Sequence, residues 1–416
     1  MQQGLHLLIV DCASRAALAA NHASRWLLPV VTCHERLRAE SHVARWAAEQ
    51  GVACDVLGQW LGRISSNPVS LDWLVAVRAA RTDTTAPRGL QWIPLDALDP
   101  DRALLDYQGW AIARAVRNGE LPAVSGPFGT LCWLEEVRAW MADLVGDGTP
   151  LTVTPYRLTA YEVVLRVETA GRPVFFKGMT AERAVEPRAT QALFEVEPRC
   201  FPRTLALERR ADGSIWWVTA ECPGRPLRRP VSFRHAAEVA RALARVQQRA
   251  LASFSVHREL PALDVERALE WCLERLNDDP VRRDAIARAF DVLLAAMDLR
   301  TWIPLDLDPT NVMVEEDRAG SSRVAFIDLD DSYCGPAPLA MAVFARRCRD
   351  TSLDACYERA WTPPLDRLDW PSFETVAAAI EAWLGWSRVA LKAHRGELHG
   401  PWGQVLNAHL FPGFKT

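Results

Sequence analysis

The sequence predicts an α+β chain laid out in three successive parts. These are a small mixed domain over residues 1–126, a sheet-rich segment over 132–230 and a largely helical segment over 231–416. Three observations support this. Short apolar runs rich in β-branched residues recur through the first two parts. Helical spacing of apolar residues takes over after Ser232. A stretch with two prolines and two glycines, Glu120–Thr130 (ELPAVSGPFGT), separates the first part from the rest.

In the first part, Leu5–Val10 and Trp26–Cys33 read as strands, and Ala39–Gln50 as an amphipathic helix stopped by Gly51. Asp55–Trp60, Leu71–Val77 and Leu90–Pro94 read as further strands before a helix at Leu104–Val116. A helix at Cys132–Val145 follows the linker, with Trp133, Val137, Trp140, Met141 and Leu144 near helical spacing. The second part reads as strands Leu151–Tyr156, Glu162–Thr169 and Pro173–Gly178, a helix Ala181–Phe194 and a strand Ser214–Thr219. In the third part Ser232 caps a helix Phe233–Ala252, followed by helices near Val265–Leu276 and Arg283–Asp298. Further helices are expected at Leu339–Arg346, Leu353–Ala360, Phe373–His394 and Gly403–Leu410.

Composition narrows the function. Hydrophobic residues make up 49% of the chain, enough for buried cores, and the net charge is −4. No clustered basic stripe of the kind that grips a phosphate backbone is present, so no nucleic-acid partner is expected. No apolar run approaches the roughly 20 residues of a membrane helix, and the start MQQGLHLLIVDCASR lacks a basic, long-apolar leader. A cytoplasmic protein is expected. The ten cysteines are scattered without a C-x-x-C pair, which points to reduced, mostly buried thiols and no zinc. The seventeen tryptophans, Trp216 and Trp217 among them, read chiefly as core.

The chemistry concentrates in Ile303–Gly335. Val312–Val314 and Val324–Ile327 are strand-like, with a polar turn between them, and form a predicted hairpin. Asp306 precedes the first strand and Asp328 ends the second, so both carboxylates should emerge at one edge with Asn311 between them. Kinases use D-x-x-x-x-N, in which the aspartate takes a hydroxyl proton and the asparagine holds Mg²⁺. A second aspartate, at the end of a following strand, also holds Mg²⁺. Asp306, Asn311 and Asp328 have that order and spacing. Taken singly, each of these residues also suits a turn or a strand end. Asp330 and Asp331 add carboxylate at the same edge, chiefly as loop-shaping groups. Upstream, Lys177 closes an apolar strand, where its charge needs a partner. In kinases such a lysine pairs with the α/β-phosphates and with a glutamate of the next helix. Glu186 is the best-placed glutamate, with Glu182 next.

Asp306-Leu307-Asp308-Pro309-Thr310-Asn311-Val312 followed by Ile327-Asp328, together with Val174–Leu193, resembles the aminoglycoside phosphotransferase and choline kinase group. The usual pattern there is H-G-D-L-H-P-x-N-V and then I-D. The resemblance covers about 151–394. It implies a two-lobed protein-kinase-like fold and ATP- and Mg²⁺-dependent transfer of a γ-phosphoryl group to a hydroxyl of a small molecule. Asp306 would be the catalytic base, and Asn311 and Asp328 would hold metal. Lys177 and Glu186 would anchor nucleotide. Thr159 lies in the loop over the phosphates, and Glu221 lies in the adenine-edge segment. The sequence departs from the pattern in several places. Pro304 and Leu305 stand at the family's histidine and glycine. Gly335–Ala340 lacks a loop-bracing aspartate, and Leu158–Tyr161 has no glycine. These departures keep open a nucleotide-binding pseudokinase acting as a regulatory or scaffold protein.

The first part is similar in outline to a Nudix domain, through Arg45–Val52 (RWAAEQGV) and Leu90–Leu98 (LQWIPLDAL). Of the acids a working Nudix helix needs, only Glu49 is present, so a degenerate copy is expected. An unrelated α+β domain fits the same residues. Hydrolysis of a nucleoside diphosphate derivative there is a third functional reading, disfavoured by the missing acids.

Overall fold

A computed structural model describes most of residues 3–62, 72–94, 133–145, 151–158, 162–276, 279–316, 322–349 and 351–394. The expected helices at Leu104–Val116 and Gly403–Leu410, the linker Glu120–Thr130, and Thr159 lie outside the described residues. The chain divides into two compact units. One comprises Met1–Ala181 with Ala206–Val218, the other Glu182–Leu205 with Thr219–Thr416.

The first unit begins with β1 (Gln3–Asp11), β2 (Ala16–His22), β3 (Arg25–Leu27), β4 (Val30–Cys33), α1 (Ala39–Gln50), β5 (Cys54–Gly62), β6 (Asp72–Ala79) and β7 (Gln91–Pro94). They form a seven-stranded mixed sheet of order β3-β2-β1-β6-β5, with β4 on β1 and β7 on β2. Only the β1–β6 pairing is parallel among those resolved. The run expected as one strand at Trp26–Cys33 is two, β3 and β4, with Pro29 outside both. Proline has no backbone N–H to give to a ladder, and here it instead accepts from Leu7 N at 2.8 Å. β2 was not anticipated: AALAANH is alanine-rich and low in strand propensity, and pairing with three strands holds it in place. Glu49 of α1 is exposed and, among the described residues, belongs to no cluster of potential metal ligands, so the Nudix outline gains no support here.

α2 (Trp133–Val145) precedes β8 (Thr152–Leu158), β9 (Glu162–Glu168) and β10 (Val174–Met179). With β11 (Thr204–Arg209) and β12 (Ile215–Ala220), these strands make a five-stranded sheet of order β11-β12-β10-β9-β8. One apolar core runs through the unit, joining Leu7, Ile9 and Leu18 to Trp133, Val137 and Met141 of α2, and on to Leu165, Phe176 and Trp216. The rings of Trp140, Phe176 and Trp216 meet edge to face, with centroids 5.5–6.1 Å apart. The Trp140 indole N–H donates to Glu208 at 2.6 Å. Trp216 and Trp217 are both buried, as expected.

The second unit opens with α3 (Val185–Val196). The expected helix from Ala181 is broken into a 3₁₀ turn at Ala181–Arg183 and then α3, with Pro187 in its first turn where a missing N–H costs nothing. β13 (Arg225–Pro226) leads to α4 (Phe233–Leu251), capped by Ser232, whose hydroxyl accepts from His235 N at 3.3 Å. α5 (Phe254–Glu259), α6 (Val265–Arg275) and α7 (Pro280–Ala295) follow, and Asp264 and Asp279 cap the last two. Then come β14 (Arg300–Pro304), β15 (Val312–Glu316), β16 (Ser322–Phe326), β17 (Ser332–Pro336), α8 (Pro338–Cys348), α9 (Asp354–Ala360) and α10 (Trp370–His394). The sheet lobe and the helical lobe of the protein-kinase-like fold are thus both present. No described helix is long and apolar enough to cross a membrane. Cys200, Cys272 and Cys334 are buried thiols, and Cys222, Cys348 and Cys356 are partly buried thiols.

Candidate active site

Two short antiparallel ladders bring the polar residues together. β14 pairs with β17 (Pro304 opposite Ser332), and β15 pairs with β16 (Val312 opposite Phe326). Asp306 follows β14, Asn311 closes a 3₁₀ turn into β15, Asp328 follows β16, and Asp330 and Asp331 precede β17. The predicted hairpin is therefore present, and its neighbours in sequence form a second ladder that was not anticipated. Leu305 N donates to Asp331 O at 2.9 Å and Ile327 N to Asn311 O at 3.0 Å, each bond continuing its own ladder by one residue pair into the loops. Asp331 thus shapes the loop through its backbone.

The ladders are held from below by Gln247 of α4. It is fully buried, its amide donates to Trp302 O (2.9 Å) and Ala337 O (3.1 Å), and its carbonyl accepts from the Tyr357 hydroxyl (2.5 Å). Its backbone carbonyl accepts from Thr301 Oγ1 at 3.0 Å. A primary amide with every strong bond satisfied costs little to bury and fixes β14 against the start of α8. At the far end, Gly224 has φ 101°, and a Cβ there would stand 2.4 Å from Val314 O. Only glycine lets this turn reach β15.

Within the loop, Asn311 Nδ2 donates to Asp306 O at 3.0 Å and to Asp306 Oδ2 at 3.4 Å. Asp308 Oδ1 accepts from the Thr310 amide (3.0 Å) and hydroxyl (2.8 Å), and Arg229 reaches Asp308 Oδ2 at 2.6 Å. Partial burial pushes the Asp308 carboxyl up. The two Thr310 bonds and the charges of Arg229 and Arg347 outweigh that and hold it below the usual carboxylate range.

Asp328 has φ 59°, in the left-handed region. A non-glycine residue held there costs about 1–3 kcal/mol, and such residues cluster at functional sites. Aspartate tolerates the conformation better than most residues. One carboxylate oxygen each of Asp306, Asp330 and Asp331 lies within 4.8 Å of the others, an all-oxygen set of the kind hard divalent cations take. Arg183 Nη1 donates to Asp330 Oδ2 at 2.5 Å.

Arg347, on α8, was not singled out from sequence. Its Nη1 donates to Asp306 Oδ1 at 2.5 Å, Nη2 to Leu305 O at 3.2 Å and Nε to Glu381 Oε1 at 3.1 Å, with Asp308 3.9 Å away. Burial pulls the guanidinium pKa down, and the bonds to Asp306 and Glu381 more than reverse this, so it stays charged. No local pattern joins residues 41 apart, so sequence alone carried no signal for the pair.

In the first unit, Lys177 is 8% exposed, and its ammonium lies 3.6 Å from Glu162, itself 1% exposed. Arg157 reaches Glu162 at 3.4 Å. The register contained this pair. Lys177 is opposite Val164, so Glu162 is its diagonal neighbour on the same face. In the second unit, Glu186 of α3 is 2% exposed and Glu221 is partly buried.

Among solved structures, similar chains include a candidate aminoglycoside phosphotransferase of Ralstonia eutropha. It is 17% identical, with 67% of this chain and 95% of that one covered at a TM-score of 0.49. The GDP and kanamycin complex of APH(2")-IIIa is 11% identical over 63% and 93% at 0.46, and a Plasmodium vivax ethanolamine kinase is 13% identical over 60% and 76% at 0.42. No curated protein sequence matches the chain. The sequence profile of the phosphotransferase enzyme family matches residues 151–374, which takes in Lys177, Glu186, Asp306, Asn311 and Asp328. That span is more than half of the chain, and the chain belongs to the phosphotransferase enzyme family.

Proposed function

We propose that the chain transfers the γ-phosphoryl group of ATP to a hydroxyl of a small molecule, with Asp306 as the group that receives the hydroxyl proton. The observation carrying this reading is the hydrogen-bonded pair Asp306–Asn311, tied through Ile327 to the left-handed Asp328, all inside the family-matched span.

Asp306 orients the acceptor hydroxyl and takes its proton as the bond to phosphorus forms. Arg347 holds one carboxylate oxygen of Asp306, and Asn311 steadies the other. Asn311, through its amide oxygen, and Asp328 are the residues that would hold Mg²⁺, while the Asp330 carboxylate groups with those of Asp306 and Asp331. The donor set is all oxygen and fits that ion. Bound there, the cation neutralises charge on the phosphate oxygens. Lys177 anchors the α/β-phosphates, and Glu186, Thr159 and Glu221 are the other residues proposed to serve nucleotide binding. Catalysis of this kind rests on positioning and charge neutralisation.

The experiment is ATP turnover with Mg²⁺ across a panel of hydroxyl compounds, comparing wild type with Asp306→Ala. The expected outcome is acceptor-dependent ADP release by wild type and none by the variant. Equal rates in the two proteins would refute the assignment. Tight ATP binding without turnover on any acceptor would favour the pseudokinase reading.

A further inference from the structure

The helical unit carries a second concentration of charge, separate from the aspartate loops. A cavity of about 730 Å³ is lined by Arg199, Arg245, Arg249 and Arg323 together with Glu197 and Glu238. An adjoining cavity of about 380 Å³ shares Arg245 and Arg249 and adds Arg241. The chain as a whole is net acidic, so five arginines on one face depart from its average.

The charges do not cancel. Glu197 is buried and occupied: Arg249 donates to it and Arg245 stands 3.7 Å away. Glu238 pairs with Arg241 at 3.4 Å. Arg323 donates Nε to the carbonyl of Arg199 at 3.0 Å, which fixes its stem. Among the described residues, no carboxylate lies within ion-pair distance of the Arg199 or Arg323 guanidinium. The lining also includes buried Cys200 and Val324. Guanidinium forks match phosphate oxygens bidentately, and a cavity of this size suits a ligand of nucleotide dimensions.

We propose that this cavity binds a small molecule bearing a chain of two or three phosphates, held chiefly by Arg199 and Arg323. The proposal does not depend on the phosphotransfer reading.

The test is calorimetric titration of the full chain with inorganic tripolyphosphate in magnesium-free, low-salt buffer. Wild type is compared with the doubly substituted Arg199→Gln, Arg323→Gln chain and with a control, Arg258→Gln, Arg288→Gln. All four side chains lie on the surface, and thermal melts check that each protein is folded. The expected result is at least a tenfold loss of affinity in the first variant, none in the control, and a shallower salt dependence in the first variant. Equal affinity in wild type and the Arg199/Arg323 variant overturns the proposal. So does a short single-stranded RNA that binds wild type more tightly than tripolyphosphate and is lost in the same variant, since the ligand would then be a nucleic acid.

Discussion

Arg347 Nη1 lies 2.5 Å from Asp306 Oδ1, while the same guanidinium grips Leu305 O and Glu381. Pro304 and Leu305 occupy the positions where related sequences place a histidine and glycine. Here the loop takes support from a helix that follows it. Arg347→Ala is expected to lower kcat roughly 10²-fold through misplacement of Asp306, with KM for ATP little changed. Arg347→Lys should recover only part of the loss, because a lysine cannot span a carboxylate and a carbonyl together. Steady-state kinetics decide this, and a wild-type kcat in Arg347→Ala would remove the positioning role.

At Asp328 the chain accepts a left-handed backbone. Asp328→Asn tolerates the same conformation but loses the charge. Transfer should fall by at least about 10²-fold while the melting temperature stays within a few degrees of wild type. A variant that keeps activity would exclude Asp328 from metal binding.

Gln247 connects α4 to both β14 and α8. Gln247→Leu strands two buried carbonyls and the Tyr357 hydroxyl, and should cost about 3 kcal/mol or more. Tyr357→Phe strands only one acceptor, at about 1–3 kcal/mol. Urea unfolding of both variants tests the order of the two losses.

Burial pushes the Cys222 and Cys272 thiols up to about 12, while an unfolded thiol ionises near roughly 8.5. For a raised folded value, the stabilising contribution is full below the unfolded pKa and disappears as pH climbs towards the folded one. The urea midpoint should therefore fall as pH rises from about 9, and alkylation near neutral pH should be far slower in native than in denatured protein. Asp308 has the opposite sign. Its depressed value stabilises the fold above the unfolded carboxylate pKa, and that contribution is lost as pH falls through the folded one. In Arg229→Ala the acid limb of the unfolding curve should move to higher pH.

Local chemistry was easy to read. α1 and β9 begin where their sequences predict. Ser232 caps α4, and the D-x-x-x-x-N spacing placed Asp306 and Asn311 on one loop. Features set by distant partners were not legible. β2 and β11 lack the β-branched density of a strand and exist because a sheet recruits them. β14 and β17 are proline-bounded segments that read as loop until each supplies the other's hydrogen bonds. Arg347 sits among other arginines with nothing in the local pattern to mark it. Glu162 was recoverable in principle, since strand alternation and the β9–β10 register put it diagonal to Lys177, but only once that register is known.

The Trp140–Phe176–Trp216 contact carries one more consequence. Phe176 is the residue before Lys177, and the ring covering it belongs to α2, which ends before the family-matched span begins. Cutting the gene at the edges of the family-matched span would strip the wall from behind the strand that carries Lys177, leaving Phe176 and Trp216 facing water. The preceding residues are thus part of the enzyme's masonry, and grafting the catalytic segment onto another leader would require a new helix with an indole at that height.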